Sequence, residues 1–181
     1  EGRTLAERLD DGLLPREEVV TLGMELLEAL TELHGRDLVH GDLSPRNLIL
    51  TSRGLRIVGM GVADRCGRRK QANSMFGDAW EAPELRNGAR ATASSDLFAA
   101  AAVLHRALKG EMQWGGLGGE DDPLASCLVQ AMGSSPELRP ASAALLRGRM
   151  LEALGTTTGK AADGRPEPIR TARRPEGAVD L

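Results

Sequence analysis

The 181-residue sequence predicts a mainly α-helical domain with a small β element, and three observations support this fold class. Apolar residues recur at three- and four-residue steps from 19 to 33, which is the spacing of one helix face. Residues 97–108 are apolar on almost every side, a pattern typical of a buried helix. Short apolar runs between 38 and 58 are separated by turn residues, which favours small strands.

The first long helix is predicted to begin at Leu14-Pro15, because proline suits the first helical position. Glu17 and Glu18 follow it, and their carboxylates complement the positive end of a helix. Gly35 is a typical stop signal. We therefore expect a central helix of about five turns between these signals.

The runs at 38–39, 48–50 and 55–58 are each too short for a helix and are predicted to be small strands. Turns are expected at Ser44-Pro45 and at 52–54. The sequence thus predicts a small two-stranded element around the segment 40–50.

Three further helices are expected in the second half of the chain. The buried helix should cover 96–109 and end at Gly110, another should follow Pro123, and the last should cover 141–154. Residues 61–81 lack periodicity and are expected to form a mobile loop. Residues 155–181, rich in Thr, Gly, Pro and Arg, are expected to be a disordered linker, which leaves one domain at 1–154.

The predicted core combines residues from all of these elements. Its members are Leu26, Leu30, Leu33, Leu50, Val58, Phe98, Val103, Leu104, Leu128 and Leu145. We also expect apolar area to be exposed around Leu48 and Val58, where it could drive self-association.

Composition and charge exclude several classes of function. The formal net charge of -3 is spread without long single-sign blocks, which disfavours nucleic acid and anionic membranes as partners. Cys66 and Cys127 have no metal-ligand spacing. No apolar window reaches the roughly 20 residues of a membrane span, and there is no secretory signal, so we predict a cytoplasmic protein.

The segment 40–50 carries the strongest chemical signal. It contains Asp42 and, after four intervening residues, Asn47. This spacing suits phosphoryl transfer, in which the carboxylate accepts the proton of the attacking hydroxyl and the amide holds a magnesium ion on the nucleotide phosphates. The same chemistry calls for Asp-Phe-Gly shortly afterwards, but the chain has Gly59-Met60-Gly61.

Together with three later motifs, this segment resembles the C-terminal lobe of the eukaryotic-type Ser/Thr protein kinases, particularly the bacterial ones. The later motifs are Ala82-Pro83-Glu84, Ser95-Asp96-Leu97-Phe98 and Arg139-Pro140, in the order and at the intervals of that family. The resemblance extends from about residue 2 to 154. It implies a kinase-like C-terminal lobe, mainly α, with the β element at the catalytic-type loop.

The resemblance also implies roles for individual residues. Asp42 would be the base, Asn47 the metal and nucleotide ligand, and Leu50 a nucleotide contact, with ATP and Mg²⁺ as cofactors if the lobe is active. The remaining matches are expected to support the fold. These are His40 as a packing residue, Glu84 paired with Arg139, and Asp96 as the anchor of the catalytic-type loop.

Departures from the family pattern favour an inactive lobe. Gly59 replaces the second metal carboxylate, Ser44 stands where these kinases usually place a lysine beside the transferring phosphate, and Gly41 replaces an arginine. Since this transfer depends chiefly on metal ions and cations, we expect no cofactor to be required. Asp64, a few residues later, is an alternative, displaced metal ligand. We also expect the glycine-rich loop and the phosphate-binding lysine of the upstream lobe to lie outside this chain.

Three functional hypotheses remain. The leading one is a pseudokinase-type lobe that acts as a regulatory or binding module in signalling, with a protein partner. The second is the C-terminal lobe of an active ATP-dependent Ser/Thr protein kinase with a protein substrate. The third is a small-molecule phosphotransferase, because His40-Gly41-Asp42 followed by a residue other than lysine at 44 also resembles aminoglycoside and choline kinase loops.

Overall fold

The protein is described by a computed structural model that covers residues 2–60, 79–110 and 121–160, with side chains up to 155. The described residues form a mainly α-helical lobe with one small antiparallel sheet, so the predicted fold class is confirmed. The helices, numbered in chain order, are α1 Leu5–Asp10, α2 Arg16–His34, α3 Pro83–Arg86, α4 Ala93–Lys109, α5 Pro123–Ala131 and α6 Ala143–Lys160.

The ends of these helices follow the sequence signals. Pro15 is the residue before α2, and Gly35 closes it by donating its N–H to the Thr31 carbonyl at 3.0 Å. The hydroxyl of Thr92 caps α4 by accepting the Ser95 N–H. Helix α4 begins a few residues before the predicted start at 96, because this capping box lies upstream of the apolar run.

The sheet has three strands, in the order β1 Gly2–Thr4, β2 Leu48–Thr51 and β3 Gly54–Ile57. All neighbours are antiparallel. The prediction of a two-stranded element was therefore wrong, because the first residues of the chain add a strand to β2 that their polar sequence did not indicate. The strand predicted at 38–39 is also absent, and the chain there is irregular.

The hairpin of β2 and β3 is fixed at its turn and along its edge. Gly54 has a φ of 109°, a conformation that would be strained for a residue with a side chain. Its carbonyl accepts the Thr51 hydroxyl at 2.8 Å. Glu25, on α2, accepts the Leu55 N–H at 2.7 Å with its carboxylate. Helix α2 therefore sets the position of the hairpin. The candidate site lies at the open end of the hairpin, next to the residues just before β2 and just after β3.

The core lies between α2 and α4, with α5 and α6 packed against them. Eight predicted core residues belong to or pack against the core: Leu26, Leu30, Phe98, Val103, Leu104 and Leu128 are fully buried, and Leu33 and Leu50 are half-buried.

Two predicted core residues are exposed. Val58 is 38% exposed because it follows the last residue of β3, and Leu145 is 44% exposed because it lies on the outer side of α6. The predicted exposure of apolar area at Leu48 was also wrong, since this side chain is fully buried.

Close packing between α2 and α6 depends on Gly23. A Cβ atom at this position would lie 2.6 Å from the Cε atom of Met150 and 3.3 Å from a methyl group of Leu104. The absence of a side chain thus lets the buried Met150 cross α2.

Helix α6 continues to Lys160, beyond the predicted domain boundary at 154. The rest of the predicted linker, residues 161–181, lies outside the described residues, as do most of the predicted loop 61–81 and its Asp64. Within the described ranges, no helix combines the length and hydropathy needed to cross a bilayer.

Candidate nucleotide and metal site

The catalytic-type loop is anchored by hydrogen bonds from its backbone to one buried carboxylate. Asp96, on α4, is 1% exposed and accepts the backbone N–H groups of His40 and Gly41, each at 2.8 Å. The Nε2 atom of His34, at the end of α2, lies 2.9 Å from the same carboxylate. A buried carboxylate is stable only when such donors compensate its charge. Asp96 therefore anchors the loop, and His34 is an anchor that the sequence analysis did not identify.

His40 connects this loop to the end of β3. Its Nε2 atom donates to the Val58 carbonyl at 3.0 Å, and its Nδ1 atom accepts the Asp42 N–H at 3.2 Å. These two bonds require the neutral tautomer with the proton on Nε2. The ring is 1% exposed, so it positions the loop from inside rather than facing a ligand.

Asp42, Ser44 and Asn47 lie together on this loop, as their spacing suggested. The Nδ2 atom of Asn47 donates to the Asp42 backbone carbonyl at 2.6 Å and lies 3.4 Å from its carboxylate. Ser44 precedes the 3₁₀ turn Pro45–Asn47, and its carbonyl accepts the Asn47 N–H at 3.0 Å. The Asn47 carbonyl accepts the Val58 N–H at 2.9 Å, which fixes the loop against β3.

Gly59 is directly adjacent to the Asn47 side chain. A Cβ atom at Gly59 would lie 3.2 Å from the Asn47 Cγ and Oδ1 atoms. The φ of Gly59 is 82°, a conformation that glycine adopts without strain and that aspartate tolerates better than most residues. A side chain at position 59 would therefore be in direct contact with the Asn47 side chain, and the glycine provides none.

The described residues do not fit the metal pair of phosphoryl transfer. Such a site needs hard oxygen ligands from more than one acidic or amide side chain, and among the described residues of this loop Asp42 and Asn47 carry such groups. In the described part of the chain, no three His, Cys, Asp or Glu residues are grouped in a way that could hold a metal ion.

Strand β2 presents its apolar side chains on two faces. Leu50, predicted as a nucleotide contact, packs against the core. Because successive side chains of a strand alternate, Ile49 lies on the opposite face, where it is half-buried. In a strand, alternation from the buried Leu48 places Ile49 on the face opposite the core. The sequence alone does not show this, because residues 48–50 are all apolar and no polar residue marks the outer face.

The ion pair implied by the resemblance is present between α3 and the segment before α6. The guanidinium of Arg139 donates to both carboxylate oxygens of Glu84, each at 2.7 Å, and its Nε donates to the Gly133 carbonyl. The Arg139 side chain is fully buried and lies 4.9 Å from the centre of the Phe98 ring. The hydrogen bonds from Arg139 hold the pKa of Glu84 below its usual value.

Comparisons with known proteins identify the family of this chain. The sequence profile of the protein kinase domain matches residues 1–134. The probable serine/threonine-protein kinase PknB of Lactococcus lactis is 28% identical over 143 residues, which cover 76% of this chain and 22% of that protein. The serine/threonine-protein kinase PknK of Mycobacterium tuberculosis is 28% identical over 183 residues, covering 87% of this chain and 16% of that protein.

A solved structure supports the fold independently. The kinase domain of PknI from M. tuberculosis superposes with a TM-score of 0.65 at 24% identity, covering 86% of this chain and 63% of that domain. This chain thus spans less than two thirds of the solved kinase domain and a smaller fraction of the curated relatives. With the profile match over most of its length, the chain belongs to the protein kinase family, among relatives of the bacterial eukaryotic-type Ser/Thr kinases.

Proposed function

We propose that this kinase-family lobe does not transfer phosphate and instead acts as a binding or regulatory module for a protein partner. The observation that carries the proposal is that the residue directly beside the Asn47 side chain is Gly59, which provides no carboxylate. The transferring phosphoryl group is stabilised mainly by metal ions and cations, and a general base alone contributes only about 10² to 10⁴ in rate. Asp42 alone would therefore be insufficient.

The structural motifs, by contrast, are complete. The Glu84–Arg139 pair and the Asp96 anchor hold the lobe and its loop through hydrogen bonds between protein groups. A chain that retains this scaffold can present a folded surface to a protein partner even though it lacks the metal carboxylate. An active Ser/Thr kinase lobe with Asp42 as the base is the second candidate, and it is favoured by the preserved contact between Asn47 and Asp42.

Metal binding to variants of position 59 tests the proposal. Gly59→Asp should place a carboxylate against the Asn47 amide, and we expect Mn²⁺ binding in the presence of ATP to become at least about tenfold tighter, as measured by electron paramagnetic resonance. The matched control is Gly88→Asp, because Gly88 has a similar φ of 84° and open space around it. This control adds the same charge at a site without Asn47.

The outcome separates the two candidates. If the unmodified chain binds Mn²⁺ and ATP with a measurable affinity that Gly59→Asp does not improve, a metal ligand is already present and the proposal fails. If only Gly59→Asp gains affinity and Gly88→Asp does not, the missing carboxylate accounts for the lost site.

A further inference from the structure

The side of α6 that faces away from the core is almost entirely apolar. Its inner side carries the buried Leu146 and Met150. The opposite side, at three- and four-residue spacing, is named here the outer face of α6 and consists of Ala144, Leu145, Gly148, Leu151, Glu152 and Gly155. Leu145 is 44% exposed and Leu151 is 52% exposed, whereas a solvated helix face is normally polar.

Gly148 has no packing role within the described chain. A glycine inside a helix is less favourable than alanine, because it loses more backbone entropy on folding, so its presence calls for a reason. For Gly23 the reason is Met150, which takes the space of the missing side chain. At Gly148, apart from its chain neighbours and the adjacent backbone of α6 itself, no atom of the described residues lies within 4 Å of a Cβ position. The glycine is therefore suited to close approach of a backbone from outside this lobe.

The pattern around Gly148 reads almost identically in both directions. Leu145 and Leu151 lie three residues before and after it, and Arg147 and Arg149 lie one residue before and after it. A two-fold symmetric contact requires one surface patch that is complementary to itself. In an antiparallel pair of α6 helices centred on Gly148, the Leu145 of one copy would lie beside the Leu151 of the other, over the small residues.

The charges at the edges of this face leave its centre apolar. The Nη2 atom of Arg147 lies 3.6 Å from the Oε2 atom of Glu28 on α2. Arg149 lines the groove between α5 and α6. Both side chains thus lie at the rims of the face rather than at its centre. We propose that the outer face of α6 is a self-association surface, on which a second copy of this chain packs antiparallel with Gly148 at the two-fold axis.

The size of the face sets the strength of the association. From 144 to 155 it is about 17 Å long at 1.5 Å per residue. Stable dimers bury about 800 Å² per partner, and one helix face of this length offers less than that. The dimer is therefore weak, with a dissociation constant on the order of micromolar to millimolar. This inference is independent of the proposed lack of phosphate transfer.

Sedimentation equilibrium of the full chain tests the surface. The average mass should rise from that of the monomer towards that of the dimer between about 10 μM and about 1 mM. Gly148→Arg should remain monomeric over this range, because its side chain has room in the monomer and blocks the contact. Leu38→Glu is the matched control, since Leu38 is 51% exposed elsewhere on the lobe, and it should associate like the unmodified chain.

Folding of the variants is checked separately. Gly148→Ala should raise the melting temperature of the monomer by about 2 to 4 °C, since it removes a helix-interior glycine without a clash. A fall in melting temperature would mean that Gly148 is needed inside the lobe, which would overturn the argument.

Oxidative cross-linking tests the antiparallel arrangement. In a Cys66→Ser background, Gly148→Cys should form a disulfide-linked dimer, because the two copies of this residue meet at the axis. Ala144→Cys should not, since its copies would be separated by about 12 Å along the helices. Any one of three results would overturn the proposal. The chain could remain monomeric at every concentration, or its association could be abolished by Val58→Glu but not by Gly148→Arg. Cross-linking could also be equal at positions 144 and 148.

Discussion

Removing the Arg139 side chain should destabilise the lobe far more than removing an exposed arginine. The fully buried guanidinium donates to both oxygens of Glu84, to the Gly133 carbonyl and to the Ser94 carbonyl. Arg139→Ala removes these bonds and leaves a carboxylate that is only 17% exposed without its partner. Breaking a buried pair from one side costs about 3 to 5 kcal/mol. Because Glu84 retains some contact with water, we expect a loss near 3 kcal/mol.

The assay is thermal and urea unfolding, monitored by circular dichroism. A loss near 3 kcal/mol corresponds to a fall in melting temperature of about 6 to 12 °C for a chain of this size. The control is Arg3→Ala, whose ion pair with Asp11 is as short, at 2.6 Å, but joins side chains that are 47% and 60% exposed. Exposed pairs contribute about 0 to 1 kcal/mol, so the control should change little.

A double variant separates the two contributions. Arg139→Met combined with Glu84→Leu removes both charges, so no buried carboxylate is left unpaired, and it should lose less stability than Arg139→Ala. If Arg139→Ala is no more destabilising than Arg3→Ala, burial does not govern the strength of these pairs and the reasoning is wrong.

Three further predictions concern pH, packing and the loop anchor. Arg139 lowers the folded-state pKa of Glu84, so the stability that this pair contributes is present above pH 4.5 and is lost as the pH falls through the folded-state pKa. In urea titrations, the unfolding free energy of Arg139→Met should therefore fall less steeply with acid than that of the unmodified chain. Gly23→Val should lower the unfolding free energy by about 1 to 3 kcal/mol in urea titrations, through the clash with Met150; an unchanged value would mean that α6 can shift. Asp96→Ala should accelerate hydrogen exchange at the His40 and Gly41 amides, and unchanged rates would contradict the anchor.

Much of the fold follows from local signals in the sequence. Pro15 and Gly110 mark helix ends through backbone preferences that do not depend on the rest of the chain: proline fixes its own φ, and Gly110 adopts a left-handed φ of 81°. Gly35 also lies at a helix end, but in a right-handed conformation, with a φ of -64°, that does not require glycine. Strand β1 was not predicted, because three residues beginning with glycine have no strand pattern of their own. They are a strand only because β2 offers a free edge, which is a property of the tertiary structure.

The candidate site could be predicted in part. The spacing of Asp42 and Asn47 placed both residues on one loop, since it reflects a short local turn. The contact of His34 with Asp96 joins residues 62 positions apart, and no local pattern encodes it. Leu145 was assigned to the core because an apolar residue in a helix usually faces inward, and only the placement of α6 revealed that it faces outward.

Without a carboxylate at position 59, this lobe should not transfer phosphate. Transfer of the γ-phosphate of radiolabelled ATP, with Mg²⁺, to the full chain and to a generic basic protein substrate tests this directly. We expect no transfer above background and no difference between the unmodified chain and Asp42→Asn. Transfer by the unmodified chain that is abolished in Asp42→Asn would show that the lobe is an active kinase.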